Sequence, residues 1–213
     1  VIYTLLLVSA IVMIVKSEDA YYGPAIEKIT TPFIASCVLN IAWIVFFSYD
    51  QLLLSVLFIL GFVLSLAVIC RRLLKIQDKK RWLLPITFGI YTGWLMIANV
   101  VNIAAALVKI KWNGFRLADN VWALIILCAA ILIVGLVALA TRNATLPIPA
   151  AWAYLGIFQF LKTSDASAGK YPDLQNTALA GMVILAILAV VLFAVNRYSF
   201  LPAAVKKSEQ IKA

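Results

Sequence analysis

Seven apolar runs, none with an ionisable side chain well inside it, set the terms for this chain. They cover residues 1–15, 31–49, 52–70, 83–108, 119–141, 146–161 and 178–200. A bilayer core about 30 Å thick takes roughly 20 apolar residues of helix. Within it, only helices and closed barrels satisfy their backbone polar groups. The runs therefore predict an all-α, polytopic transmembrane helix bundle of about seven spans, the first and sixth short. Composition agrees. Of 213 residues, 65% are hydrophobic and 13% charged, whereas a soluble domain is about a quarter charged. A chain this poor in charge cannot clothe a soluble globule.

The connections carry the charge. The turn Tyr49-Asp50-Gln51 makes the second and third spans antiparallel neighbours, and Arg142-Asn143-Ala144-Thr145 does the same for the fifth and sixth. Longer loops are predicted over residues 16–30 and 163–177. Lys and Arg in alternate connections divide unevenly. One side takes Lys16, Lys28, the cluster Arg71, Arg72, Lys75, Lys79, Lys80 and Arg81, then Arg142, Arg197 and the tail residues Lys206, Lys207 and Lys212. The other takes Lys109, Lys111, Arg116, Lys162 and Lys170. The richer side is expected to be cytoplasmic, which places the 71–82 loop and the C-terminus inside. The cluster also suits anionic lipid head groups. The basic excess thus reads as orientation, and nucleic acid is not an expected partner.

Chemistry is constrained by what the spans lack. The chain has no His, which removes the usual general base and a common metal ligand. Cys37, Cys70 and Cys128 fall singly in separate runs, without a CxxC pair, and read as small buried apolar residues. Ion-coupled pumps and exchangers keep ionisable groups inside the membrane; none is present here. No GxSxG, HExxH or paired intramembrane carboxylate occurs. No catalytic and no metal-binding residue is assigned, and an enzymatic role is not expected.

What remains inside is amide and aromatic. Asn40, Trp43 and Phe47 recur at spacings of three and four and share one helical face. Thr87, Tyr91, Trp94, Ala98 and Asn102 do likewise on the fourth span, with Asn99 beside them. Carboxamides in hydrocarbon need partners. One reading makes them glue between helices. The other makes them the polar fixings of an aromatic-walled pocket for a flat hydrophobic ligand, the two faces opening toward one outer cavity. Gly89 and Gly93 form a GxxxG that permits close helix packing, within one bundle or across a homodimer.

At these segments the chain resembles the TspO/MBR family, the translocator proteins or tryptophan-rich sensory proteins. Leu39-Asn40-Ile41-Ala42-Trp43-Ile44-Val45-Phe46-Phe47 is similar to the family's LNxxWxxxFF stretch. Tyr91-Thr92-Gly93-Trp94, continuing to Ala98 and Asn102, resembles its YxxWxxxAxxxN helix, and Tyr3 sits where WxxLY would end. On this resemblance residues 1–110 form a TspO-like core lacking the family's first helix. Residues 111–213 then form an extension of three helices with a basic tail, in which Ala151-Trp152-Ala153-Tyr154-Leu155-Gly156-Ile157 echoes longer bacterial members. Ile90 stands where short members have proline, and no span holds the cholesterol-recognition pattern, so cholesterol binding is not carried over.

The resemblance implies a sensor or carrier of tetrapyrroles such as protoporphyrin IX, held without a covalent bond. Its ligand-binding residues would be Asn40, Trp43, Phe46, Phe47, Tyr91, Trp94, Ala98 and Asn102, with Lys109, Lys111 or Arg116 placed to meet propionates. The expected setting is a bacterial inner membrane or an organelle membrane. Two alternatives stay open: a facilitator for an uncharged solute, and a structural subunit of a larger membrane complex.

Overall fold

The computed structural model describes residues 1–76, 81–163 and 168–203. These form seven helices: α1 (Ile2–Val15), α2 (Tyr22–Ser48), α3 (Leu52–Ile76), α4 (Leu83–Lys109), α5 (Asp119–Thr141), α6 (Pro147–Thr163) and α7 (Pro172–Val195). A single 3-10 turn, Gly114–Arg116, lies between α4 and α5. Five of the helices (α2, α3, α4, α5 and α7) are long and apolar enough to cross a membrane. α1 is a shorter apolar helix of 14 residues, and α6 has 17. Lys79, Lys80, residues 164–167 and the tail residues Lys206, Lys207 and Lys212 lie outside the described residues.

Helix limits depart from the apolar runs in three places. α2 begins at Tyr22, nine residues before the run, so most of the expected 16–30 loop is helical. Tyr22, Ala25 and Ile29 recur on a buried face while Glu27 and Lys28 are exposed. Amphipathic spacing therefore continues a helix that a search for unbroken apolarity ends too soon. α3 likewise runs on through Arg71 and Arg72 to Ile76. α7 starts at Pro172 and stops at Val195, earlier than the run, because Asn196 turns the chain and its Nδ2 donates to the Arg142 carbonyl at 2.8 Å. Pro172 suits a first turn, where its missing N–H costs nothing.

Pro32 sits inside α2, where proline removes the hydrogen bond to the carbonyl four residues earlier. That carbonyl belongs to Lys28, and the Arg72 guanidinium of α3 donates to it. A cation from the neighbouring helix thus replaces the bond that the proline deletes.

Contacts between connections sort them to two ends of the bundle. Arg81 pairs with Asp19 at 3.6 Å, Asn143 Nδ2 donates to the Pro85 carbonyl at 2.9 Å, and Asn196 reaches Arg142. At the opposite end Lys109 pairs with Asp50. Successive helices are accordingly antiparallel. Among the described residues the first end carries Lys16, Lys28, Arg71, Arg72, Lys75, Arg81, Arg142 and Arg197. The opposite end carries Lys109, Lys111, Arg116, Lys162 and Lys170.

The most extensive helix pairings are α2 with α3, α6 with α7, and α3 with α4. α5 packs mainly on α7, and α6 on α7 and α4. The short turn between α5 and α6 therefore does not make them close partners along their length, as expected from its brevity. α7 takes that place, and Gly181 shows why. A Cβ there would lie 2.4 Å from the Tyr154 ring of α6 and 2.9 Å from Ile131 of α5. Bare backbone lets all three helices meet. Tyr154 also donates its hydroxyl to the Leu127 carbonyl of α5. Cys70 is buried, but Cys37 and Cys128 are exposed on the outer faces of α2 and α5, against the expectation of burial. In hydrocarbon an outward thiol is solvated as well as an inward one, so nothing drives it inside.

Candidate functional site

α4 is the spine of the site. Its first half is sunk in the bundle: Thr87, Phe88, Gly89, Tyr91, Thr92 and Gly93 are all buried. A Cβ on Gly89 would come within 2.0 Å of Thr145 Oγ1, and one on Gly93 within 2.0 Å of the Leu146 carbonyl oxygen. The GxxxG therefore seats this chain's own 143–149 segment, leaving no room there for a second copy. The hydrogen bonds around it are well satisfied. Asn143 Oδ1 accepts from Thr145 N at 2.9 Å and Thr145 Oγ1 at 2.8 Å. Ser9 and Thr87 hydroxyls share a bond of 2.8 Å.

Beyond Gly93 the packing opens. Trp94, Ala98 and Asn102 of α4 join Trp43 and Phe47 of α2 around a cavity of about 440 Å³. α6 supplies the third wall through Trp152, Ala153 and Gly156. The rings of Trp43 and Phe47 lie 6.3 Å apart. Trp94 is 46% exposed and Trp152 70%, so the cavity is open at the side of the bundle. Its floor is made of small residues, Ala98, Ala105, Ala153 and Gly156, which leave the flat width that indole walls can flank.

Asn102 is buried to 3% exposure. Its Oδ1 accepts from Ser55 Oγ of α3 at 2.9 Å, while its Nδ2 has no partner among the described residues. The Trp43 Nε1 is also buried without one. Unmet donors in an apolar setting cost a few kcal/mol each, so two at one cavity wall mark a place where an acceptor from outside would be stabilising.

Five of the eight residues expected at a ligand site thus line one cavity: Trp43, Phe47, Trp94, Ala98 and Asn102. The other three do not. Phe46 stacks on Phe58 of α3, with centroids 5.0 Å apart and planes at 17°. Tyr91 meets Phe62 edge-on at 5.4 Å inside the α3–α4 contact. Asn40 is half-buried on α2, outside the cavity wall. Trp152, Ala153 and Gly156 were not expected. Their signal was the tryptophan in the 151–157 stretch, but nothing local says that α6 faces α4. Lys109, expected to meet a ligand's carboxylates, is held by Asp50 through both its carboxylate and its backbone carbonyl.

The family model described as TSPO-like protein matches residues 1–191, a span that runs through all six connections and nearly the whole of α7. No curated protein and no solved structure matches the chain. With nine-tenths of its length covered, including both walls of the cavity contributed by α2 and α4 and the third from α6, the chain belongs to the TSPO-like protein family.

Proposed function

We propose that this protein is a membrane-embedded binding protein for a flat apolar tetrapyrrole of the protoporphyrin IX type, serving as its sensor or carrier. The observation that carries the reading is the cavity between α2, α4 and α6, whose indole walls, small-residue floor and unpartnered donors suit such a molecule. Its volume of about 440 Å³ falls within the range of small-molecule pockets, roughly 300–1,000 Å³. Aromatic rings offer offset stacking to a planar macrocycle. A sideways opening favours a ligand that arrives through the bilayer. Without His in the chain, the residues suit the metal-free macrocycle rather than His-ligated haem.

The chain's own residues hold and orient the ligand. Trp43, Phe47, Trp94 and Trp152 bound its faces, and Asn102, its carbonyl anchored by Ser55, offers an amide N–H. A small rotation of the Trp43 indole would bring its N–H to the same ligand. In this reading α5–α7 extend a TspO-like core of α1–α4 and contribute a wall to its site. The more basic end of the bundle faces the cytoplasm, as positive charge in short connections favours. The test is titration of protoporphyrin IX against the purified chain, read by tryptophan quenching. Trp94→Ala with Asn102→Ala is expected to weaken binding about tenfold or more, the scale of one stacked ring and one polar contact. An unchanged titration would refute the assignment of the site.

A further inference from the structure

A second cavity, of about 450 Å³, lies where α4 passes into α5, on another face of α4 from the tetrapyrrole site. The connection is built to hold two indoles together. Gly114 takes a left-handed φ of +56°, and a Cβ there would fall 2.6 Å from Trp122 Nε1; the Trp122 N–H donates to the Gly114 carbonyl instead. Asn113 Oδ1 accepts from the Phe115 N–H at 3.2 Å and caps the 3-10 turn. The outcome is Trp112 beside Trp122, centroids 4.6 Å apart and planes at 59°. Below them Ala104, Leu107, Ala123 and Ile126 form an apolar slot between α4 and α5.

Charge gives the cavity a polarity. Asp119, in the first turn of α5, is the one charged residue in its wall, and among the described residues no ion pair engages it. Lys111 and Arg116 are exposed on the same loop but do not line the cavity. Lys109, which closes α4, is held by Asp50. Tryptophans at span ends commonly anchor a protein at the membrane surface. Anchoring needs neither a cavity beside the indoles nor a carboxylate at its rim.

We propose that this cavity binds an amphiphilic organic cation, with its alkyl tail in the α4–α5 slot and its ammonium head beside Trp112, Trp122 and the Asp119 carboxylate. Indole faces attract quaternary ammonium groups through the ring quadrupole, most strongly where water is thin. Asp119 adds the opposite charge at the membrane-surface end, where the head of a bilayer-borne amphiphile would sit. The site is independent of the tetrapyrrole cavity and shares no lining residue with it.

The experiment is calorimetric titration of the purified full-length chain, in maltoside micelles, with hexyltrimethylammonium, hexanol and hexanesulfonate. The cation is expected to bind tightest of the three. Asp119→Asn should weaken it about threefold, and Trp112→Leu by a similar factor, the scale of one exposed charge or cation–aromatic contact. Hexanol affinity should stay unchanged in Asp119→Asn. A wild-type Tm in the same micelles reports that both variants remain folded. Equal binding of the three probes, preference for the sulfonate, or full cation affinity in Asp119→Asn would each overturn the proposal.

Discussion

The two halves of α4 make opposite use of similar residues. From Leu83 to Gly93 the helix is buried throughout most of its circumference, and its polar neighbours are paired: the Pro85 carbonyl accepts from both Asn143 and Thr145, and Thr92 Oγ1 meets Cys70 at 3.4 Å. From Trp94 to Ala105 the same helix is half open, and Asn102 keeps an unpaired Nδ2. Asparagine appears in both regions with different consequences. Asn143 has both ends of its amide engaged, Nδ2 donating to the Pro85 carbonyl of α4 and Oδ1 accepting from Thr145 just ahead of α6. Asn102 has one end engaged, by Ser55. In a bilayer, where apolar burial gives little drive for helices to associate, close packing and satisfied polar contacts do that work. The closed half therefore reads as structure, and the open half as a place for something else.

The sharpest way to break the comparison is Gly93→Ala. Its methyl would collide with a backbone carbonyl that cannot swing aside, so a loss of about 3 kcal/mol or more in stability is expected, seen as a lowered Tm in detergent. Wild-type stability would dissolve the claim that the closed half is closely packed.

Asn143→Ala comes next. It removes one of the two donors to the Pro85 carbonyl and the acceptor of the buried Thr145 N–H, and an expected cost of roughly 2 kcal/mol follows from leaving that N–H unpaired. Asn102→Ala should cost clearly less, because one side of its amide is already unpaired. If thermal melts gave the reverse order, the assignment of roles to the two halves would be inverted.

Arg72→Leu should destabilise by about 0.5–1 kcal/mol, the value of an exposed hydrogen bond, since the carbonyl freed by Pro32 loses its donor. Hydrogen exchange around residues 26–32 would rise locally; an unchanged pattern would contradict this role for Arg72.

The smallest effect belongs to the α1–α2 connection at the basic end. The backbone N–H of Tyr21 donates to Asp19 at 2.8 Å and holds its carboxyl below its ordinary value of 3.8. A lowered folded-state pKa adds stability above the unfolded value that is lost as pH falls through the folded one. A slight softening of this connection is therefore expected below about pH 4, and Asp19→Asn should abolish that pH dependence. A persistent acid-sensitive shift in the variant would assign it elsewhere.

Much of the bundle was legible from hydropathy alone, because lipid admits one common solution to backbone hydrogen bonding. Boundaries were less so. Glu27 and Lys28 lie ahead of the apolar run yet within α2, since a helix leaving the membrane needs only one buried face. The lining of the cavity was legible in part for a similar reason. Spacing identified Trp43 with Phe47, and Trp94 with Ala98 and Asn102, because residues three and four apart share a face. It could not say which face met a cavity. Phe46 follows the same motif yet points about 100° away from Phe47 around the helix and packs on Phe58. Trp152 lies roughly fifty residues from Asn102 and came to the site through the α4–α6 contact alone.

By itself the sequence determined a charge-poor helical membrane protein, its helices and their alternation. These follow from composition and period, which each segment carries locally. Tertiary structure alone decided that α7 rather than α5 is the main partner of α6, and that Gly89 and Gly93 are filled from within the chain. It also decided that Asn102 is paired on one side only, and that two tryptophans gather beside Asp119. Those outcomes depend on which surfaces meet. In a bilayer that choice is set by the fit of small residues and the pairing of a few polar atoms, and neither is visible until the helices are side by side.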